Sequence, residues 1–331
     1  MHLKTGNMKK SFILMLAVIS AGVAAQENMG YQTPSKEILE LVDVPLAPSV
    51  RMDNNKDYMV FLYRDAFKTI AELSKEELRL GGLRIDPATN IGSRTRYYNN
   101  IEITNMAEGT TNTQAVSGLP EAPLLANFGW SPDQQKMAFT QTTDEGVEIW
   151  LLDIPSATAR KLTEARANAN MGDVINWFED SEAILVKMIS TDKKPLINTK
   201  QAVPTGPTIS VADGKKAQNR TYQDLLQNPN DEHNFEQLAL SEIHKVHMDG
   251  SSEPWLGSAM YSEISFSPDG HYVMVTTVEK PFSYLVPYYR FPSVTTIYSK
   301  EATKVETVLE VPLIEDLPKG FMAVRKGRRN M

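Results

Sequence analysis

The sequence predicts an all-β protein, a partial β-propeller of about four to five blades with a short N-terminal helix and one helical insertion. Two observations carry this fold class. A strand-turn-strand phrase occurs twice, in residues 128–140 and 264–276, and a looser copy without Ser-Pro occupies residues 174–186. Because one such unit cannot bury both of its faces alone, the copies must stack side by side or around an axis.

The repeated phrase has the chemistry of a tight hairpin. An aromatic residue, Trp130 or Phe266, precedes Ser-Pro-Asp and an apolar run. Proline presets φ, the aspartate accepts hydrogen bonds from the following amides, and Gly270 supplies a positive φ. Trp130 to Trp177 is one blade-sized step. Trp177 to Phe266 is about two periods of ~40 to 50 residues, or one period plus an insertion, and the intervening sequence favours the insertion.

The remaining elements follow in chain order. Ser35 caps a run with helical apolar spacing, which predicts a short helix that ends before Pro45. The apolar run Tyr58–Tyr63 predicts a degenerate first unit, with Leu83–Asp86 ending a neighbouring strand. The later strands are predicted at residues 147–152, 159–162, 174–177, 184–188, 243–248, 272–278, 295–299 and 305–309, with the first strand of a fifth unit at 321–324.

The domain organisation is predicted as a signal peptide, residues 1–25, and an incomplete β-propeller domain, residues 26–331, with an insertion at about 190–240 that becomes helical in character from Tyr222. Lys9-Lys10, an apolar run to Val23 and small residues before Gln26 are typical of a secretory signal. A membrane anchor is the weaker alternative, because about 12 apolar residues fall short of the ~20 that span a bilayer. We therefore expect a periplasmic or secreted protein without a membrane span after signal cleavage.

Composition excludes several function classes. The chain has 331 residues and a formal net charge of −7, which argues against a nucleic-acid partner. The basic cluster at residues 325–329 is short and is interpreted as a solvated turn. Zero cysteines exclude disulfides, a thiol nucleophile and thiolate metal sites.

The sequence nominates no catalytic, cofactor-binding or metal-binding residue, and no cofactor. It contains no Gly-x-Ser-x-Gly, and it lacks the alternating strands and helices that an α/β-hydrolase domain needs. An α/β-hydrolase domain is therefore predicted to be absent. His244 and His247 resemble a metal pair, but on a strand they point to opposite faces, so two surface histidines are the favoured interpretation.

Other candidates also have structural interpretations. Asp133 and Asp269 are possible calcium ligands, but each stands in a turn where aspartate bonds its own backbone. Trp130, Trp177 and Phe266 are favoured as core aromatics over ligand-stacking platforms. The aromatic segment 281–292 leaves two alternatives open: it lines a channel, or it is a hairpin cap that packs against the next blade.

Several short motifs spread along the mature chain resemble one known family. They are Gly30-Tyr31 with Pro34, Lys36-Glu37-Ile38, Val42-Asp43, Leu83-Arg84-Ile85-Asp86, Ser93-Arg94, Val203–Pro207, Arg220–Leu226, Val286-Pro287, Arg290-Phe291-Pro292, Pro312-Leu313, Glu315-Asp316 and Val324–Gly327. With them the chain resembles the propeller of prolyl oligopeptidase-clan serine peptidases, in the branch of the plant glutamyl endopeptidases and their bacterial relatives.

The resemblance implies a propeller of seven or eight blades that covers a C-terminal α/β-hydrolase domain with a Ser-Asp-His triad. No position of this chain matches the triad. We therefore expect the N-terminal, substrate-gating portion of an exported peptidase, a fragment inactive alone, whose partners are peptides, the missing C-terminal half or a second copy. The alternative is a free-standing propeller that acts as a periplasmic binding or scaffold protein.

Overall fold

The computed structural model describes residues 32–106, 112–198 and 222–315. The chain divides into two units, residues 1–45 and 46–331. Helix α1 (Lys36–Val42) lies in the first unit, where the sequence predicts it. The predicted signal peptide, the strand at 321–324 and the basic cluster at 325–329 lie outside the described residues. No helix within the described ranges is long and apolar enough to cross a membrane.

The second unit contains four four-stranded antiparallel sheets, in which each strand pairs with its chain neighbours within the sheet. Blade 1 comprises β1 (Ser49–Met52), β2 (Tyr58–Tyr63), β6 (Asn100–Asn105) and β7 (Thr113–Ala115). Blade 2 comprises β8 (Leu125–Trp130), β9 (Lys136–Thr143), β10 (Gly146–Asp153) and β11 (Thr158–Lys161). Blade 3 comprises β12 (Ile175–Trp177), β13 (Ala183–Ile189), β14 (Ser241–His247) and β15 (Ser252–Ala259). Blade 4 comprises β16 (Tyr261–Phe266), β17 (Tyr272–Val278), β18 (Ser293–Ser299) and β19 (Lys304–Val311).

These meanders confirm the predicted all-β, partial-propeller fold. Apolar side chains fill the space between consecutive blades. Leu62 of blade 1 shares a core with Phe139 of blade 2, and Val147 of blade 2 shares one with Ile184 of blade 3. A further core joins blade 3 to blade 4. Each blade therefore buries its faces against its neighbours, as the repeat requires.

The turn between the first and second strands is the same in all four blades. Its fourth residue has a positive φ, at Lys56 (63°), Gln134 (61°), Ser181 (60°) and Gly270 (67°). The backbone N–H of that residue donates to the carbonyl oxygen three positions earlier, at 2.9 to 3.2 Å. The two copies without Ser-Pro therefore adopt the conformation that the clear copies predict.

These turns also contact one another from blade to blade. The Gln134 side chain of blade 2 accepts a hydrogen bond from Asn54 N of blade 1 at 3.0 Å. The Ser181 hydroxyl of blade 3 accepts one from Asp133 N of blade 2 at 3.0 Å. We call this series of contacts the turn chain.

The structure differs from the prediction in three details. Leu83–Asp86 (β4) does not belong to a blade, because it pairs with β3 (Leu78–Leu80) and β5 (Ile91–Gly92) in a separate three-stranded sheet inserted into blade 1. That insertion also contains the short helix α2 (Ile70–Leu73). Strand β15 is not predicted, because Pro254 and Gly257 interrupt its alternation. In the insertion at 190–240, the described helix is α3 (Pro229–Ala239), so the helical character begins later than Tyr222.

Candidate functional site

The long insertions all leave the blades at the same edge. They connect the second and third strands of blades 1, 3 and 4, at residues 64–99, 190–240 and 279–292, whereas blade 2 has a short hairpin there. In an antiparallel meander this connection lies at the edge opposite to the first turn. The insertions therefore lie away from the turn chain, and we call their described parts, residues 64–99, 190–198, 222–240 and 279–292, the cap.

The cap has its own apolar core. Phe235 of α3 lies at its centre and is fully buried. Its ring contacts those of Phe282 and Phe291, with centroids at 5.2 and 5.7 Å. The cluster also includes Leu80, Ile85, Leu226, Leu238, Ala239 and Val286 of the cap, with Met171, Met260 and Val278 next to it. The sequence analysis left two alternatives for segment 281–292, a channel lining or a hairpin cap that packs against the next blade. The segment is observed to pack, but against the other insertions rather than against the next blade.

Close backbone contacts join the pieces of the cap. Tyr288 N donates to Gly81 O at 2.7 Å, and Gly82 N donates to Asp224 O at 2.8 Å. Gly82 has a φ of 88°, and a Cβ atom there would lie 2.7 Å from Pro287 Cβ. Only glycine fits this crossing without displacement.

Asparagine side chains attach the cap to the blades. The carbonyl oxygen of Leu238, near the C-terminus of α3, accepts hydrogen bonds from Nδ2 of Asn90, Asn168 and Asn170 at 3.1, 2.9 and 2.6 Å. Asn168 and Asn170 lie on the segment between blades 2 and 3, whereas Asn90 lies in the turn between β4 and β5 of the three-stranded sheet. The carbonyl oxygen of Leu238 has no partner within the helix, and it is hydrogen-bonded instead by residues from two separate parts of the chain.

A buried lysine lies near this junction. Lys187 of β13 is 2 % exposed, and its ammonium nitrogen donates to Met171 O. Burial lowers the pKa of Lys187 to about 7, although Asp173 opposes the change. The group therefore lies close to the balance between its charged and neutral forms at neutral pH.

Several charged residues of the cap form pairs. Glu77 accepts hydrogen bonds from Arg94 Nε at 2.9 Å, Ser93 Oγ at 2.6 Å and Arg79 Nε at 2.9 Å. These bonds, with that of Arg94 the strongest, lower the pKa of Glu77 to about 2. Arg84 Nε donates to Asp224 Oδ2 at 2.6 Å.

One arginine of the cap differs from these. Nε and Nη1 of Arg290 are buried and have no hydrogen-bond partner. Within the described ranges Arg290 also forms no ion pair with a carboxylate. Its guanidinium carbon lies 5.7 Å from the ring centre of Tyr222 and 5.9 Å from that of Tyr289.

The two histidines of β14 each have a separate carboxylate. His244 Nε2 lies 3.3 Å from Glu242 Oε2, and His247 Nε2 lies 3.6 Å from Glu253 Oε1. Among the described residues, no group of three or more His, Cys, Asp or Glu side chains is placed to hold a metal ion.

A hydrogen-bonded Ser-His-Glu series, which the sequence analysis missed, lies beside a lateral cleft of about 610 Å³. Ser252 Oγ lies 3.2 Å from His244 Nδ1, and His244 in turn contacts Glu242. The other oxygen of Glu242 accepts from Thr191 N at 2.8 Å and Thr191 Oγ1 at 2.7 Å. These bonds connect the start of the insertion to β14, so we assign this series a structural role.

The aspartates of the repeated turns bond their own turns. Asp133 Oδ1 accepts from Ser131 Oγ at 2.5 Å and from Gln135 N at 3.0 Å. Asp269 Oδ1 accepts in the same way from Ser267 Oγ at 2.5 Å and from His271 N at 3.1 Å. These carboxylates therefore close the hairpins.

The three aromatic residues of the repeat are half-buried between blades. Trp130 packs against the core between blades 1 and 2, and Trp177 against the core between blades 2 and 3. Phe266 contacts Phe178, with ring centroids at 4.9 Å. Their contacts are those of packing residues.

The sequence comparisons identify relatives. No family model matches the chain. It is 33% identical, over 316 residues, to a probable chloroplastic glutamyl endopeptidase of Oryza sativa subsp. japonica, which covers 92% of this chain and 33% of the relative. This chain is homologous to part of that probable glutamyl endopeptidase. A probable chloroplastic glutamyl endopeptidase of Arabidopsis thaliana is 29% identical over 330 residues, which covers 95% of this chain and 34% of that protein.

The chain thus spans about a third of the length of these relatives. Among solved structures, an acylaminoacyl peptidase of Pyrococcus horikoshii matches with 15% identity and a TM-score of 0.43, over 82% of this chain and 33% of that one. The tricorn protease matches with 11% identity and a TM-score of 0.39, over 85% and 20%.

Many of the described residues that carry the resemblance lie in the cap. Arg84 and Asp224 form an ion pair, and Ser93 and Arg94 both bind Glu77. Arg290 belongs to the aromatic segment. The similarity to the two relatives extends over the insertions as well as the repeated blades.

Proposed function

We propose that this chain is the N-terminal, substrate-gating propeller portion of an exported serine peptidase of the glutamyl endopeptidase type. The observation that carries the proposal is the cap. Three insertions from three blades converge at one edge and share one apolar core, in a chain homologous to a peptidase over 92% of its length. A packed cover at one edge of a propeller limits the size of peptide that reaches this edge.

Catalysis in this proposal depends on an α/β-hydrolase domain, which the family resemblance implies. We expect the chain alone to leave Glu-containing peptides intact. Peptides and a hydrolase domain, on the same or another polypeptide, are its proposed partners, and self-association through blade edges is a further proposal. Hydrolysis by the purified chain would contradict this part of the proposal.

The gating role is tested in a chimera in which this chain replaces the homologous region of the rice relative. The measured quantity is the ratio of kcat/KM for a short Glu-containing peptide to that for a long unfolded protein substrate. Phe282→Ala removes a half-buried ring that contacts Phe235 and Phe291. We expect this variant to cleave the long substrate faster and the short peptide at the same rate.

The matched control is Phe266→Ala, which removes a half-buried aromatic ring between blades 3 and 4, outside the cap. Gating predicts that its ratio equals that of the unmodified chimera. If both variants change the ratio alike, or neither changes it, the cap does not select substrates by size.

Export is a separate part of the proposal. Residues 1–25 contain the basic and apolar segments of a signal peptide. Fused to a reporter enzyme that is active only outside the cytoplasm, they should give activity, and deletion of residues 12–23 should abolish it. An inactive intact fusion would contradict export.

A further inference from the structure

We infer that Arg290 binds the carboxylate of an acidic peptide, an inference that rests on the proposed function because it assigns a residue of the cap to the substrate. The first observation is the unsatisfied guanidinium. Nε and Nη1 are buried without a hydrogen-bond partner. A buried donor without a partner is destabilising, and more so when the group is charged. A site that retains this destabilisation is suited to an acceptor that arrives from outside.

The second observation is that the backbone around Arg290 is held in place. Tyr288–Arg290 forms one turn of 3-10 helix. Arg290 N donates to Pro287 O at 2.9 Å, and Arg290 O accepts from Ile314 N at 3.1 Å. The next residue, Phe291, is 2 % exposed in the cap core. The guanidinium is therefore carried by a rigid segment, which lowers the entropic cost of binding.

The third observation is the pair of tyrosines. The rings of Tyr222 and Tyr289 lie 5.7 and 5.9 Å from the guanidinium carbon. Such contacts stabilise the cation and restrict its plane. Tyr289 is 58% exposed and Arg290 as a whole is half-buried, so the guanidinium lies near the surface on this side. Tyrosine faces supply no formal negative charge, so among the described residues the guanidinium has no anionic acceptor.

Two other arginines of the cap show a contrast. Arg84 has Asp224 at 2.6 Å, and Arg94 has Glu77 at 2.9 Å. These ion pairs hold the cap together. Arg290 has the same chemistry, without an acidic partner in the part of the chain that the structure describes.

A carboxylate is the ligand that fits this group. The planar guanidinium offers two parallel N–H donors along each edge and binds a carboxylate in a bidentate manner. A neutral amide of the same shape offers only one acceptor oxygen, and its NH₂ group opposes the guanidinium. We therefore expect the site to distinguish Glu from Gln in a peptide.

The test uses the whole chain labelled with ¹⁵N-arginine, together with three short acetylated peptides. One carries Glu and an amidated C-terminus, the second carries Gln and a free C-terminal carboxylate, and the third carries Gln and an amidated C-terminus. Binding is measured by calorimetry and from the Nε–Hε resonance of Arg290. The Glu peptide is expected to bind at least tenfold more tightly than the fully neutral peptide and to shift this resonance.

Substitutions of Arg290 distinguish the effect of its positive charge from that of the planar guanidinium shape. Arg290→Met should abolish the tenfold preference, and Arg290→Lys should recover only part of it because lysine lacks the fork. Arg166→Met, outside the cap beside the lateral cleft, is the matched control and should retain the preference. Circular dichroism and the melting temperature show whether each variant folds, and the resonance of the unmodified chain does not depend on the variants.

The outcomes are distinct. If only the free C-terminal carboxylate binds, Arg290 anchors peptide ends, and the assignment to acidic side chains is overturned. Equal affinity for all three peptides, or an unmoved Arg290 resonance during binding, overturns the inference altogether. Because no hydrolysis is measured, carboxylate binding can hold while the chimera shows no size selection. That result would overturn the proposed gating function alone.

Discussion

Replacing Lys187 by methionine is expected to stabilise the protein at neutral pH and to destabilise it at alkaline pH. The side chain is 2 % exposed, and burial lowers its pKa from the ordinary 10.5 to about 7. Between these values the unfolded chain binds a proton that the folded chain does not. The free energy of unfolding therefore rises with pH from about 7 to 10.5.

The magnitude follows from the two pKa values. At about 1.4 kcal/mol for each pH unit between them, the buried lysine costs about 5 kcal/mol at and below pH 7. Its hydrogen bond to Met171 O offsets about 1 kcal/mol. Lys187→Met removes both contributions, so we expect a gain of several kcal/mol at pH 6 and a loss of about 1 kcal/mol near pH 10.5.

The assay is urea unfolding of both proteins at intervals from pH 6 to 10.5. Ile243→Val is the control, since Ile243 pairs with Lys187 across β13 and β14 and its replacement changes packing without changing a titrating group. Its effect should be the same at every pH. A difference between the Lys187→Met variant and the unmodified protein that does not change with pH would refute the reasoning.

Three further predictions concern the turns and the cap. Gly270→Ala should lower the free energy of unfolding by about 2 kcal/mol in urea, because φ is 67° and the new Cβ would lie 2.8 Å from Glu179 Cβ; an unchanged midpoint would contradict this. Glu77 has a pKa of about 2 instead of 4.5, so the stability that it adds relative to Glu77→Gln is present above pH 4.5 and should disappear as pH falls from 4.5 to 2. A difference that persists at pH 2 would exclude the carboxylate as its source. Asn168→Ala breaks bonds to Leu238 O and Ser241 Oγ at 2.9 Å each and should cost about 2 kcal/mol in thermal unfolding; a cost below 0.5 kcal/mol would show that this junction does not hold the cap.

The blades could be predicted because their signals are local. The Ser-Pro-Asp turns, the aromatic residue before them and the apolar run after them specify a hairpin within about ten residues. The degenerate copies adopt the same turn with Lys56 and Ser181 at positive φ. The turn is thus kept at these positions without glycine.

The cap could not be predicted, because its contacts join distant parts of the chain. Leu83–Asp86 has the alternation of a blade strand, and nothing in those residues states that the partner is β5 rather than β2. The convergence of Asn90, Asn168 and Asn170 on Leu238 O spans up to 148 positions. The lack of hydrogen-bond partners for Nε and Nη1 of Arg290 likewise depends on residues distant in sequence and not on its sequence neighbours.

The turn chain gives the protein a direction of assembly. The amide of Asn54 in blade 1 is satisfied by Gln134 of blade 2, and that of Asp133 in blade 2 by Ser181 of blade 3. The hairpins of blades 1 and 2 are therefore each completed by a residue that the ribosome adds later. A chain emerging from its N-terminus closes blade after blade in order of synthesis, and the newest blade remains open until its successor arrives.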